Sequence, residues 1–276
     1  MGEPTAAIRR YGLLGYPLGH SFSPAYFQDK FARLGLSGTH TYELFALQPD
    51  GIPGLLARTD LCGLNVTIPY KRALWPYLAG AGAAATALGA VNVLRRHHGA
   101  WWGENTDVIG FERSLLGWVG RPGDGAPEAL RHRLRAAVVL GDGGASAAVQ
   151  YVLQQWGLPF DVVTRRPRPL SSGPARRYLT YDGWRASGGF AAYGLCVQTT
   201  PVGMFPDMDG ELPLPYGTLA VSPDRPFYFY DVVYNPEPTA MMRRMASLGA
   251  QVKGGLEMLH LQADAAWEIW QNGVAP

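Results

Sequence analysis

Short apolar runs alternate with stretches at helical spacing along this chain, the pattern of an α/β protein. Residues 10–15 (RYGLLG) read as a strand. Residues 24–34 follow as a helix whose apolar stripe is Tyr26, Phe27, Phe31 and Leu34. Residues 41–47 and 63–68 are further strands, the second stopped by Pro69, which is placed to open a helix running to Leu78. Residues 89–96 and 100–104 form a hairpin turning near His98-Gly99. Thr106 and Asp107 lead into a helix with Val108, Phe111, Leu115, Leu116 and Val119 on one face.

The same alternation continues beyond a Gly/Pro-rich loop at 120–127. Residues 135–140 (RAAVVL) are a buried-type strand. A glycine loop follows, then a helix with Val149, Val152, Leu153 and Trp156 at helical spacing. Residues 160–164, 195–199 and 227–233 read as three more strands, and residues 171–192 give no clear period. The last helix starts near Gly255-Leu256 and runs to Trp270, with Trp267 and Trp270 as core anchors. Met204, Met241, Met242 and Met258 read as packing residues.

Length and composition narrow the class. A chain of 276 residues is long enough for two domains and a large core. Its net charge of +2, with basic residues spread along the chain, carries no duplex-binding stripe, so no nucleic-acid partner is expected. Residues 78–94, the longest weakly polar run, are too rich in Ala and Gly for a membrane span. Cys62 and Cys196 lack metal-ligand spacing, so neither a metal nor a disulfide is expected and a reduced, cytoplasmic setting follows. The 24 basic residues include only three lysines, Lys30, Lys71 and Lys253, so chemistry needing a titratable amine has few candidates.

Strand 135–140 runs directly into Gly141-Asp142-Gly143-Gly144-Ala145-Ser146 and a helix, the context of a dinucleotide-binding turn. Glycine permits the tight turn and the close approach of a pyrophosphate, and the helix N-terminus supplies N–H donors. Ser146 stands at the third glycine position, and Asp142 brings a negative charge close to the expected phosphates. A tight structural turn is the competing reading. At the end of the next strand, where an NAD site carries Asp or Glu, the chain reads Thr164-Arg165-Arg166-Pro167-Arg168. Guanidinium pairs with a 2′-phosphate, so NADP is the expected cofactor.

The chemistry is expected from residues 65–71 (NVTIPYK) and 104–107 (ENTD). Lys71 falls in the first turn of the helix expected after Pro69, where the dipole disfavours an ammonium and suits acid–base work. Asp107 at the start of its own helix is either a cap or the partner of Lys71. An alcohol oxidation needs a base for the O–H proton and a nicotinamide for the hydride.

Seven motifs, in order over nearly the whole chain, resemble those of the shikimate dehydrogenase family. They are residues 15–24 (GYPLGHSFSP), 65–71, 89–92 (GAVN), 105–110 (NTDVIG), the loop from Gly141, 199–204 (TTPVGM) and 255–259 (GLEML) with Gln262 beyond. The resemblance implies a two-lobed α/β fold. Residues 1–106 would be the substrate-binding domain, completed by 255–276. Residues 107–254 would be a Rossmann-type NADP-binding domain, with the C-terminal helix returning to the first lobe. It implies the reversible reduction of 3-dehydroshikimate to shikimate, with Lys71 and Asp107 as the catalytic pair. Ser21, Ser23, Thr67, Asn92, Asp107, Tyr234 and Gln262 match substrate contacts. Gly141, Gly143, Gly144, Ala145, Thr164, Arg165, Val232 and Gly255 match cofactor contacts, and His20 reads as a structural hydrogen-bonder. Asp142 stands where the family usually has alanine, and Thr164-Arg165-Arg166 replaces its common Asn-Arg-Thr. The partner is then a small molecule, and the enzyme a monomer or homodimer. Quinate or aminoshikimate dehydrogenase, a catalytically silent regulatory paralogue, and a nucleotide-binding protein with an unrelated substrate are the other readings.

Overall fold

A computed structural model of the chain describes residues 8–19, 21–120, 128–169 and 173–272. His20 and most of the 120–127 loop lie outside the described residues. The chain divides into two compact units, Met1–Thr106 with Gln262–Pro276, and Asp107–Leu261.

The first unit is built on a six-stranded sheet in the order β2-β1-β3-β5-β6-β4. Its strands are β1 (Arg9–Gly15), β2 (His40–Ala46), β3 (Leu61–Val66), β4 (Gly80–Ala81), β5 (Val93–His97) and β6 (Ala100–Glu104). β1 pairs in parallel with β2 and β3, whereas β5 runs antiparallel to β3 and β6. Side chains alternate faces along a strand, and that splits the core in two. Tyr11 and Leu13 pack with Phe27 and Phe31 of α1 (Ser23–Arg33) and with Ala263, Trp267 and Trp270 of α9 (Leu256–Asn272). Leu14 turns to the opposite face, against Ile52, Leu55 and Leu56 of α2 (Ile52–Ala57). The β5–β6 hairpin closes with positive φ at both His98 (48°) and Gly99 (82°), the backbone of a tight hairpin turn. Leu34 at the end of the α1 stripe is exposed, because the helix stops at Arg33.

Lys71 lies in no α-helix. From Ile68 to Leu74 the chain forms hydrogen-bonded turns, followed by a single 3₁₀ turn at Trp75–Tyr77. Pro76 limits how far a helix could run here. It has no N–H to give the Arg72 carbonyl, and its ring crowds that carbonyl in an α-helix. The Trp75 N–H takes the Arg72 carbonyl instead, at 3.3 Å. The helix expected after Pro69, and the dipole it would have placed at Lys71, are therefore corrected.

The second unit holds a wholly parallel sheet in the order β12-β11-β10-β7-β8-β9. Its strands are β7 (Ala137–Leu140), β8 (Phe160–Val163), β9 (Tyr178–Leu179), β10 (Leu195–Gln198), β11 (Tyr228–Asp231) and β12 (Gln251–Lys253). Numbered from β7, this is the Rossmann order 3-2-1-4-5-6, with the reversal between β7 and β10. The connecting helices are α6 (Gly144–Gln155), α7 (Tyr181–Ala186) and α8 (Ala240–Ser247). α4 (Thr106–Val119) packs Phe111 edge-on to Tyr230, and Leu116 is exposed. Met241, Met242 and Met258 are buried as expected, but Met204 is 38 % exposed in a loop beyond β10.

The C-terminal helix, expected from the motifs to belong to the first unit from residue 255, is divided between Leu261 and Gln262. The first turn of α9 is held within the second unit. Glu237 accepts the Leu256 N–H (3.3 Å), and Glu257 bonds Ser114 (2.7 Å) and Lys253 (2.6 Å). Among the described residues no helix is long and apolar enough to cross a membrane.

Candidate functional site

In the first unit the strand ends on one edge of the sheet collect most of the candidate residues. β1 and β3 end there, β5 starts there and β6 ends there, as the pairings Leu14–Val66, Asn65–Val93 and Val93–Glu104 show. Ser21 and Ser23 follow β1, Thr67 and Lys71 follow β3, Asn92 precedes β5, and Thr106 follows β6. The carboxyl ends of parallel strands are where open α/β sheets bind ligands.

Hydrogen bonds fix these side chains. The Thr106 N–H donates to Asn92 Oδ1 (2.7 Å), and Asn92 Nδ2 donates to Thr106 Oγ1 (3.1 Å). Gln262 of α9 brings Oε1 to 3.4 Å from Thr106 Oγ1 and 3.5 Å from Asn92 Nδ2. Asn92 thus secures the backbone beyond the hairpin at the strand ends. Tyr42 donates to Asn65 Oδ1 (2.7 Å) and is hydrogen-bonded by Ser23. Burial pushes the Tyr42 hydroxyl well above its ordinary value, with the Ser23 bond opposing, so it stays a neutral donor. Ser21 Oγ accepts the Ser23 N–H (3.3 Å), the first N–H of α1, although the cap position itself is Phe22. The Lys71 carbonyl accepts the Val91 N–H (2.8 Å), tying the lysine backbone to the residue before Asn92. Tyr42, Asn65 and Thr106 carry no individual site role in the sequence. Asn65 and Thr106 lie inside the motifs 65–71 and 105–110 without roles of their own, and the alternation of β2 marks Tyr42 only as a strand residue.

In the second unit the loop from Gly141 sits at the carboxyl end of β7, beside the point where the strand order reverses. Gly141 has φ +104°, and a Cβ there would lie 2.8 Å from Thr199 Oγ1 and 2.9 Å from Thr200 Cγ2. At Gly143 and Gly144 a Cβ would meet nothing within 4 Å. The first glycine thus serves the turn, and the next two leave open space before the N-terminus of α6. Ser146 is fully buried and donates to the Gly141 carbonyl (2.8 Å), so the third glycine position is a serine that closes the loop. The residues present fit a dinucleotide pyrophosphate: two unobstructed glycines, followed by helix N–H groups that have no intrahelical partner.

Thr164 and Arg165 follow β8, with Arg165 and Arg166 exposed. Val232 and Gly255 are brought together, since Gly255 donates to the Val233 carbonyl (3.0 Å) and a Cβ on it would run into the Val232 carbonyl. Tyr234 is exposed beyond β11. Asp107 is in the first turn of α4, where the helix dipole favours a carboxylate, and it lies inside the helix rather than capping it. Asp142 bonds Arg168 Nη2 (3.0 Å) and Gln150 Nε2 (3.2 Å), so its charge is balanced within the unit.

Residues 13–94 match the model of the shikimate dehydrogenase substrate-binding domain. The chain is 33 % identical over 282 residues to the NADP(+) shikimate dehydrogenase of Desulforamulus reducens, covering 96 % of this chain and 90 % of that one. It belongs to the shikimate dehydrogenase family. The corresponding enzyme of Salinibacter ruber is 36 % identical, with 96 % and 92 % of the two chains covered. The crystal structure of the Thermus thermophilus shikimate 5-dehydrogenase, solved with NADP(H) and shikimate, superposes with a TM-score of 0.76 at 31 % identity, covering 98 % and 95 %. The family's fold, a substrate domain and a Rossmann-type domain, is the fold described above.

Proposed function

We propose that this chain catalyses the reversible NADP(H)-dependent reduction of 3-dehydroshikimate to shikimate, in aromatic amino acid (chorismate) biosynthesis. The observation that carries this reading is the strand-end edge of the first unit. There neutral hydroxyl and amide side chains, Ser21, Ser23, Thr67, Asn92 and Gln262, accompany a single lysine, Lys71. Such a set sorts the hydroxyls of a small polyol by donor and acceptor pattern, and an analogue lacking one leaves a polar group unpaired. Membership of the family supports the same substrate.

In this reading Lys71 and Asp107 are the acid–base pair for the reacting proton. On reduction Lys71 Nζ gives it to the carbonyl oxygen, and on oxidation takes it back from the hydroxyl. The nicotinamide, when bound, supplies or accepts the hydride. Gly141, Gly143, Gly144 and Ala145 would hold its pyrophosphate, Thr164 and Arg165 the adenosine ribose and its 2′-phosphate, and Val232 and Gly255 further parts of the dinucleotide. Tyr234 would contact the substrate. Residues 1–106 with the end of α9 form the substrate domain, and the second unit the NADP domain. The reading carries with it a cytoplasmic enzyme, monomer or homodimer, with no nucleic-acid or membrane partner.

Lys71→Ala tests it. Turnover of shikimate with NADP should fall about 10²–10⁴-fold, the usual contribution of a positioned acid–base group, with NADP affinity within about twofold of wild type. Near-normal turnover would remove Lys71 from the chemistry. A kinetic panel of shikimate and quinate, each with NADP and NAD, fixes the substrate.

A further inference from the structure

We propose that Asp142 and Arg168 act together as a specificity device that restrains this site's preference for a 2′-phosphorylated dinucleotide. The proposal rests on the reading of the second unit as the NADP domain. Asp142 follows the first glycine of the loop, yet its carboxylate is held by side chains from other elements. Arg168 Nη2, from the segment after β8, donates to Asp142 Oδ1 at 3.0 Å, and Gln150 Nε2 of α6 donates to the same oxygen at 3.2 Å. The Arg168 guanidinium lies over the Tyr178 ring of β9, 4.7 Å from its centroid. The Tyr178 hydroxyl donates to Gln150 Oε1 (3.4 Å), and Gln150 Nε2 also reaches Ser146 Oγ (2.9 Å). The contacts close a circuit, Asp142 to Arg168 to Tyr178 to Gln150 and back.

This circuit brings the glycine loop to the end of β8, where a Rossmann domain reads the adenosine ribose. Two consequences follow. Of the three arginines after β8, Arg168 is neutralised by a carboxylate of the protein, and the exposed Arg165 and Arg166 are left for a phosphate. A 2′-phosphate that recruited Arg168 would have to displace Asp142 and then face its uncompensated charge. A ribose with a free 2′-hydroxyl meets no such competition, and a carboxylate accepts from that hydroxyl. Asp142 thereby supplies from the first loop the acid that the end of β8 lacks.

The test uses the full-length enzyme and two readouts. One is calorimetric affinity for adenosine 2′,5′-bisphosphate against 5′-AMP, without nicotinamide. The other is kcat/KM for NADP against NAD at saturating shikimate. Asp142→Ala and the near-isosteric Asp142→Asn should each raise the phosphorylated-to-unphosphorylated ratio about tenfold, and Arg168→Ala should lower it about tenfold, each by changing one charge beside the phosphate. The double variant Asp142→Ala/Arg168→Ala should return close to the wild-type ratio. A ratio unmoved in both Asp142 variants, or equal weakening of both ligands, overturns the proposal: the circuit would then only hold the loop in shape. Wild-type protein that binds and turns over neither form overturns the NADP-domain reading itself, which separates that failure from this one.

Discussion

Three glycines of one loop should respond differently to the same methyl group. Gly141 has φ +104°, outside the range an L side chain adopts comfortably, and its Cβ would press on Thr199 and Thr200 at 2.8–2.9 Å. Backbone strain of about 1–3 kcal/mol and local overpacking of about 1–3 kcal/mol add up to a destabilisation of roughly 3 kcal/mol. For a unit of this size that lowers Tm by about 6–12 °C. Gly143 is different. Its φ of −96° and ψ of −165° suit alanine, and nothing lies within 4 Å of the new atom. Glycine is nonetheless a better N-cap than alanine, so the change costs about 0.5–1 kcal/mol, a Tm shift of about 1–4 °C. Gly144 opens α6, where alanine is neutral or slightly stabilising.

The function of the open space then shows in binding alone. A methyl group at Gly143 or Gly144 stands where a pyrophosphate would approach the loop, so NADP affinity should fall about 10–100-fold, the loss of one or two charge-assisted hydrogen bonds. Thermal unfolding of the three alanine variants with and without NADP, and calorimetric NADP affinity, complete the assay. Gly141→Ala should unfold early in both conditions. Gly143→Ala should unfold within a few degrees of wild type without NADP and lose most of the stabilisation NADP gives. Wild-type NADP affinity in Gly143→Ala would refute the loop as the phosphate cradle. A Tm loss in Gly143→Ala as large as that in Gly141→Ala would refute the division of roles.

Two more outcomes follow from buried polar groups. Asp231 is fully buried at the end of β11, and burial pushes its carboxyl up to about 6, against the bonds from Thr239 and the Val233 N–H. A raised carboxyl favours the folded state at low pH, and that contribution is lost as pH rises through about 6; roughly 1–2 kcal/mol should disappear between pH 5 and 7.5. Urea unfolding at both pH values should show that difference reduced in Asp231→Asn, and an identical pH slope in variant and wild type would refute the assignment. Thr106→Val removes a fully buried hydroxyl from Asn92 and Gln262, which should cost about 1–2 kcal/mol and raise the KM for shikimate several-fold, with a smaller effect on kcat. An unchanged KM would show that Thr106 does not position those two side chains.

Elements with a strong period are legible in the sequence, and short ones are not. β1, α1, α4, α6 and α9 each carry enough apolar positions to declare their spacing. α2, α3 (Ala83–Leu88) and α7 have six residues each, less than two turns, and their identity comes from packing. β9 has two residues, and its place is set by pairing with β8 rather than by its own pattern. It lies in the aperiodic 171–192 segment, where Tyr178 nonetheless carries the ring under Arg168. The false helix after Pro69 shows the opposite limit: Pro69 reads as a start, while Pro76 acts as the stop.

For the site, motif order locates the residues, but only three-dimensional contact says what each is doing there. Asp142 is the clearest case. From sequence it is a negative charge in a phosphate loop and counts against the loop's function. In the folded unit Arg168, 26 residues on, balances it, a distance in sequence at which no local pattern signals a pair. Lys71 runs the other way. The helix dipole expected at Lys71 is absent, because the chain from Ile68 to Leu74 forms turns, and the lysine's proposed acid–base role rests instead on its place after β3 at the strand-end edge. That edge is defined by strand pairing: the Asn65–Val93 and Val93–Glu104 registers carry Lys71, Asn92 and Thr106 to one end of the sheet. A one-residue slip in either register would reverse the faces of the paired strand residues and shift the segments that follow or precede them, which makes the β3–β5–β6 ladder as necessary to the proposed site as the residues it presents.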